Sequence, residues 1–205
     1  MQPPARLRER QRRETLKLLH DAAIDLVREG GPAAATIDAI TARVGVSRRT
    51  FFNYYTSKED AVLGTTAPVV PQRALDEFFD ESSGVDQFTR TVRLISAIIH
   101  STREVDQIDA VEFRELLGRF PELRARLQQH TTAAERLVEG VLTDHFSKDD
   151  ADSTQAADSA RALLLLAGAV MRFAYSRDPD VIEAPDREAV KSAIAVFKAA
   201  LADVS

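Results

Sequence analysis

Three side chains suited to starting helices, Thr36, Ser47 and Ser57, fall within 22 residues, and Gly45 lies between the first two. A Ser or Thr hydroxyl at such a position accepts a hydrogen bond from a backbone N–H two or three residues on, so each marks a helix start. Starts this close together leave room for only about two turns apiece. Thr36 opens an expected helix over 37–43 with Ile37, Ile40 and Val44 on one side, and Gly45 ends it. Ser47 opens a second over 48–54, and the run SKED at 57–60 has capping-box spacing for a third. Two short helices joined by a glycine turn form a helix-turn-helix, whose second helix can stand proud enough to enter a major groove.

Helical periodicity continues along the chain. Leu16, Leu19, Ala23, Leu26 and Val27 recur at three- and four-residue steps before Gly30, Gly31 and Pro32 close the first helix. Pro68 and Pro71 break the chain, and helices are then expected over 73–81, 85–104, 108–119, 122–146, 154–177 and 186–203. The segment 82–84 is an expected turn, 147–154 a polar loop, and Pro179 and Pro185 separate the last two helices. Sustained alternation and Asn-Gly or Asp-Gly hairpin turns are missing. The expectation is an all-α fold: residues 1–57 form a helix-turn-helix domain with a basic arm, and 58–205 a helical ligand-binding and dimerisation domain.

Charge is divided unevenly between these parts. The net charge is −5, yet residues 1–63 hold 11 Lys and Arg against 8 Asp and Glu, leaving 16 against 24 for the rest. Within the first 17 residues Arg6, Arg8, Arg10, Arg12, Arg13 and Lys17 face only Glu9 and Glu14. A basic N-terminal part suits a polyanion, and the acidic remainder would repel one. There is no cysteine, which fits a reducing compartment. The longest apolar run, 162–171, is broken by Arg172 and falls short of the roughly 20 residues a membrane span needs. A soluble, cytoplasmic protein without a membrane partner is expected.

The candidate chemistry lies in the second short helix. Phe51 and Tyr55 are four residues apart and can pack inward against Leu19, Ile40 and Val46, which leaves Arg48, Arg49, Thr50, Asn53 and Tyr54 outward. Arg can bind guanine edges bidentately, Asn can read adenine, and hydroxyls can hold phosphates. Lys58 adds a further phosphate contact. These residues alone also describe an ordinary amphipathic helix with solvated charges; the turn glycine, the cap and the basic arm together favour duplex DNA.

At these positions the sequence resembles TetR-type transcriptional regulators over residues 10–63. The resemblance rests on Ala22 and Ala23, Gly30, Thr36, the run GVS at 45–47, and the aromatic run leading to Lys58 and Glu59. The runs RRTFFNYY at 48–55 and FPELRAR at 120–126 look most like actinobacterial members, including the mycofactocin-regulator-like branch. The resemblance implies a homodimeric repressor released from a palindromic operator by a small ligand. It implies phosphate contacts by Thr36, Tyr54 and Lys58, base contacts from Arg48, Arg49, Thr50 and Asn53, and Ser47 within the same DNA-binding set. Phe52 stands where many members have a tyrosine, and it cannot donate to a phosphate.

Dimerisation has its own signal. Val190, Ile194, Phe197, Leu201 and Val204 step by four, three, four and three, and the preceding helix is apolar nearly all round, with Leu164 and Met171 flanking the small residues Ala167, Gly168 and Ala169. A second subunit covering these helices, through Leu164, Gly168, Met171, Val190, Ile194, Phe197 and Leu201, is one reading; burial within a monomer is the other. Phe88, Ile95, Ile99, Phe113, Leu117, Phe120, Leu137 and Met171 are candidates to line a pocket for a hydrophobic or amphipathic effector, although the same residues describe a filled core.

An enzyme is not expected. The chain lacks G-x-S-x-G, H-E-x-x-H, P-loop and G-x-G-x-x-G signatures, and His20, His100, His130 and His145 have no metal-ligand spacing. The acidic run 144–153 lacks the glycine of a calcium loop. No cofactor and no metal are expected. A helical adaptor that binds only protein would leave the basic N-terminal module without purpose.

Overall fold

The computed structural model describes residues 5–103, 110–149, 153–177 and 188–203. Within them the chain is helical, with no strand and a single isolated bridge between Thr65 and Arg103. No described helix is long and apolar enough to cross a membrane.

The described residues form two compact units. The first comprises 1–67 and 102–130. It holds α1 (Ala5–Gly30), α2 (Ile37–Val44), α3 (Arg48–Phe52), α4 (Lys58–Leu63), α7 (Ala110–Arg119) and the opening turns of α8 (Pro121–Asp149). The second comprises 68–101 and 131–205. It holds α5 (Gln72–Phe79), a 3₁₀ turn (Glu81–Ser83), α6 (Gln87–Ser101), the rest of α8, α9 (Ser153–Arg177) and α10 (Glu188–Ala202). The expected division at 57/58 is therefore not where contacts separate: α4 and the segment 102–130 group with the helix-turn-helix.

In the first unit, every residue of the α1 stripe is buried: Leu16, Leu19, Ala23, Leu26 and Val27. They share one core with Ile40, Phe51, Tyr55, Leu63 and Leu123. Both α2 and α4 pack on α1. Gly45 has φ 77° and its N–H reaches the Thr41 carbonyl at 2.9 Å, so the tight turn requires a residue at ease in left-handed backbone. Gly64 ends α4 at φ 63°, and a Cβ there would lie 3.3 Å from the His20 ring. That ring is buried, and its Nδ1–H donates to the Ala61 carbonyl at 2.7 Å, joining α1 to α4.

In the second unit, α6 packs against α5 and α9, and α9 also packs on α10. Phe78, Leu94, Ile95, Ile98, Leu142, Val170 and Val190 form its centre. Helix α6 begins at Gln87 rather than the expected 85, because Asp86 caps it: the carboxylate accepts from the Thr89 N–H at 3.0 Å and the Thr89 hydroxyl at 2.9 Å. Asp86 also pairs with Lys198 of α10. Burial alone would raise its pKa, but the bonds from Lys198 and Thr89 lower it to about 2. The expected turn at 82–84 is a 3₁₀ turn capped by Asp80, whose carboxylate accepts from the Ser82 N–H at 3.0 Å. Helix α8 runs past the expected 146 into the start of the expected polar loop. Pro179, Pro185 and Val204 lie outside the described residues.

Burial holds the His20 pKa below its ordinary 6.5. The unfolded chain then takes up a proton near pH 6.5 that the folded chain refuses, so stability is full above that value and falls as the pH drops below it. Urea midpoints at pH 7.5 and 5.5 are expected to show this loss, and His20→Gln, which keeps a donor for Ala61, is expected to reduce it.

Candidate nucleic-acid interface

The local chemistry of α3 separates its two sides. Ser47 caps it, accepting from the Thr50 N–H at 3.0 Å. Phe51 and Tyr55 are fully buried, 6.0 Å apart between ring centroids, and the Tyr55 hydroxyl donates to the Leu16 carbonyl at 3.1 Å. Burying such a ring contributes on the order of 2–3 kcal/mol, enough to seat a helix of five residues that would not form alone. The expected extension to Tyr54 does not occur. Asn53 is the C-cap, and Tyr54 and Tyr55 follow in a turn whose N–H groups both reach the Phe51 carbonyl.

The other side of the motif is polar and open. Arg48, Arg49 and Asn53 are exposed, and Thr50 and Tyr54 are half-buried. Side chains of Arg49 and Asn53 make no hydrogen bond or ion pair among the described residues. The Tyr54 ring leans on the core, leaving its hydroxyl unengaged. Thr36 caps α2 from an exposed position, accepting from the Ala39 N–H at 3.1 Å. Phe52 is 50% exposed, its ring edge-on to Phe51.

Of the three cations expected to contact DNA, Arg48, Arg49 and Lys58, two are already bonded within the protein. Arg48 Nη1 donates to Asp38 of α2 at 2.7 Å, and Lys58 Nζ donates to the Pro32 carbonyl at 2.8 Å. The basic arm is part of α1, which begins at Ala5. Its Arg10, Arg13 and Lys17 pair with Glu14, Glu9 and Asp21 at four-residue spacing.

Behind the motif, α4 is held by a buried carboxylate. Asp60 is 1% exposed; Oδ1 accepts from Arg126 Nε at 2.7 Å and His130 Nε2 at 2.6 Å, and Oδ2 from Arg126 Nη2 at 2.6 Å and the Thr56 hydroxyl at 2.5 Å. Burial alone would raise its pKa, but the bonds from His130, Arg126 and Thr56 hold it well below the usual carboxylate range. The capping box at 57–60 is thus half of what its spacing suggests. Ser57 accepts from the Asp60 N–H at 3.1 Å, while the Asp60 side chain turns to α8 instead. Asp38, Arg126 and His130 were not singled out by the sequence pattern.

Residues 19–63 match the family model described as "Bacterial regulatory proteins, tetR family". The matched stretch takes in the whole helix-turn-helix, with α4 and the second part of α1. The chain is also similar to the transcriptional regulator FadR from Bacillus subtilis in complex with stearoyl-CoA. That likeness has a TM-score of 0.34 and 12% identity, over 86% of this chain and 96% of that one. No curated protein sequence matches significantly.

Outside the matched stretch, the eight candidate pocket residues divide between two cores. Phe113, Leu117 and Phe120 pack on the core of the first unit, beside Leu116 and Leu123. Phe88, Ile95, Ile99, Leu137 and Met171 belong to the core of the second. They pack in those cores, and none lines the cavity between α5 and α6. The candidate dimer residues divide differently. Val190, Ile194, Gly168 and Met171 are buried within the chain, Leu164 and Phe197 are half-buried, and Leu201 is 42% exposed. The apolar side chains left most open on α9 and α10 are Leu165 and Val196, which the stripe did not include.

Removing the Asp60 charge leaves Arg126 and His130 facing a neutral amide. Asp60→Asn is expected to cost roughly 3 kcal/mol in urea unfolding at pH 7. Because the folded pKa is depressed, the stabilisation exists above the ordinary carboxylate range and is lost as pH falls through it and below. The acid-side loss of stability should therefore be shallower in the variant.

Proposed function

We propose that the chain is a DNA-binding transcriptional regulator, a homodimeric repressor released from a palindromic operator by a hydrophobic or amphipathic small molecule. The observation that carries this reading is the two-sidedness of α3: Phe51 and Tyr55 anchor it, and Arg48, Arg49 and Asn53 remain exposed within the stretch that matches the tetR-family model. Guanidinium and amide groups in that position can pair with base edges. Thr36, Ser47, Thr50, Tyr54 and Lys58 surround them with hydroxyl and ammonium donors for phosphate. Dimerisation through α9 and α10 is supported by Leu165, Val196 and Leu201, which their own subunit leaves 63%, 43% and 42% exposed. Two copies would place two recognition helices about 34 Å apart, one turn of duplex. Control is by binding, with no chemical step.

Selection from random duplex DNA with the purified full chain tests this. An enriched palindrome with half-sites about one helical turn apart is expected, with affinity falling steeply as salt rises. Arg49→Ala should cost about 1–3 kcal/mol at one half-site position and relax preference there, whereas Lys58→Ala should weaken all sequences alike and lower the salt slope by about 1. No enriched site, or affinity indifferent to salt, would sink the reading.

The Arg48–Asp38 pair gives a separate expectation. Both side chains are largely exposed, so the pair adds little stability, yet Asp38 sets a negative charge on the face that must meet phosphate. Asp38→Asn is expected to tighten binding to non-operator duplex, read by fluorescence anisotropy at low salt, with a change in unfolding midpoint too small to resolve.

A further inference from the structure

The second unit contains a cavity of about 360 Å³ between α5 and α6, and its chemistry is one-sided. On α6, Arg90, Arg93, Ala97 and His100 line it at steps of three, four and three, which places them on one stripe of the helix. Across from them stand the apolar side chains of Phe78, Ala74 and Val85.

The charges around the cavity do not cancel. Arg73, Arg90 and Arg93 line it against two carboxylates: Glu77 pairs with Arg73 at 2.8 Å, and Asp80 caps the 3₁₀ turn through the neutral donors of Ser82, which leaves one positive charge in excess. Arg90 and Arg93 have no carboxylate partner among the described residues. Arg90 is fixed in place, Nη1 donating to the Phe78 carbonyl at 2.6 Å and Nη2 to Gln87 Oε1 at 2.7 Å, but both acceptors are neutral. Its Nε is buried without a hydrogen-bond partner. Arg93 is exposed and makes neither hydrogen bond nor ion pair among the described residues. Two guanidiniums without a carboxylate partner beside an apolar wall are satisfied best by an anion.

We propose that this cavity binds a small organic carboxylate with an apolar body, the carboxylate held by Arg93 and Arg90 and the hydrocarbon lying against Phe78 and Val85. The volume falls at the lower end of the range for small-molecule sites, about 300–1,000 Å³, which excludes a bulky ligand. This deepens the effector reading above by naming a ligand class and a site. It is tested by binding alone, so its failure and that of the DNA-binding reading are told apart: operator selection uses ligand-free protein.

The experiment is calorimetric titration of the full chain with sodium octanoate, 1-octanol and inorganic phosphate. Octanoate is expected to bind saturably with one site per chain, and the alcohol and phosphate at least about tenfold more weakly. Arg93→Gln should weaken octanoate at least about tenfold while leaving the thermal midpoint of the free protein unchanged, since Arg93 has no partner to lose. Arg93→Lys should recover part of the affinity. Absence of saturable octanoate binding, equal binding of octanol or of phosphate, or an unchanged affinity in Arg93→Gln would each overturn the proposal.

Discussion

The placement of everything around α4 depends on one buried carboxylate. Asp60 gives up its hydration, a penalty of several kcal/mol, and recovers it through four hydrogen bonds from Arg126, His130 and Thr56. The acceptor is ionised, so His130 must present Nε2 as a donor. The bonds come from two directions, one from the turn that follows α3 and the other from α8. A shift of α4 would break charged bonds rather than slide apolar surface, which makes its position discrete. His20 completes the hold from α1 through the Ala61 carbonyl.

What the sequence made legible was local. Thr36, Ser47 and Ser57 cap the helices they were expected to cap, because an N-cap bond spans only three residues. The α1 stripe and the inward pair Phe51 and Tyr55 were equally readable, since helical period places them without knowledge of their partners. Boundaries moved where another side chain competed. Asp86 shortened α6 by capping it, and Asn53 closed α3 two residues before the expected end.

What stayed hidden was long-range. Arg126 and His130 lie 66 and 70 residues from Asp60, so nothing in the spacing at 57–60 announces that its acid serves α8 rather than its own cap. The apolar lists carry less information for a related reason: Phe88, Ile95 and Met171 have the pattern of any buried helix face, and a pattern cannot tell filled interior from cavity wall. The stripe Val190 and Ile194 is real, but it is buried within its own chain. Both the Arg93 stripe and the open Leu165 and Val196 became visible only once neighbouring helices had claimed the rest.

Arg48 and Lys58 meet any incoming polyanion with their hands already full, one on Asp38 and one on the Pro32 carbonyl. Engagement at those two positions is an exchange of partners, so the net gain is the difference between two bonded states. Among the described residues, the side chains of Arg49 and Asn53 have no such prior commitment. The recognition surface is thereby graded, with residues that gain a full new contact set between residues that merely trade one.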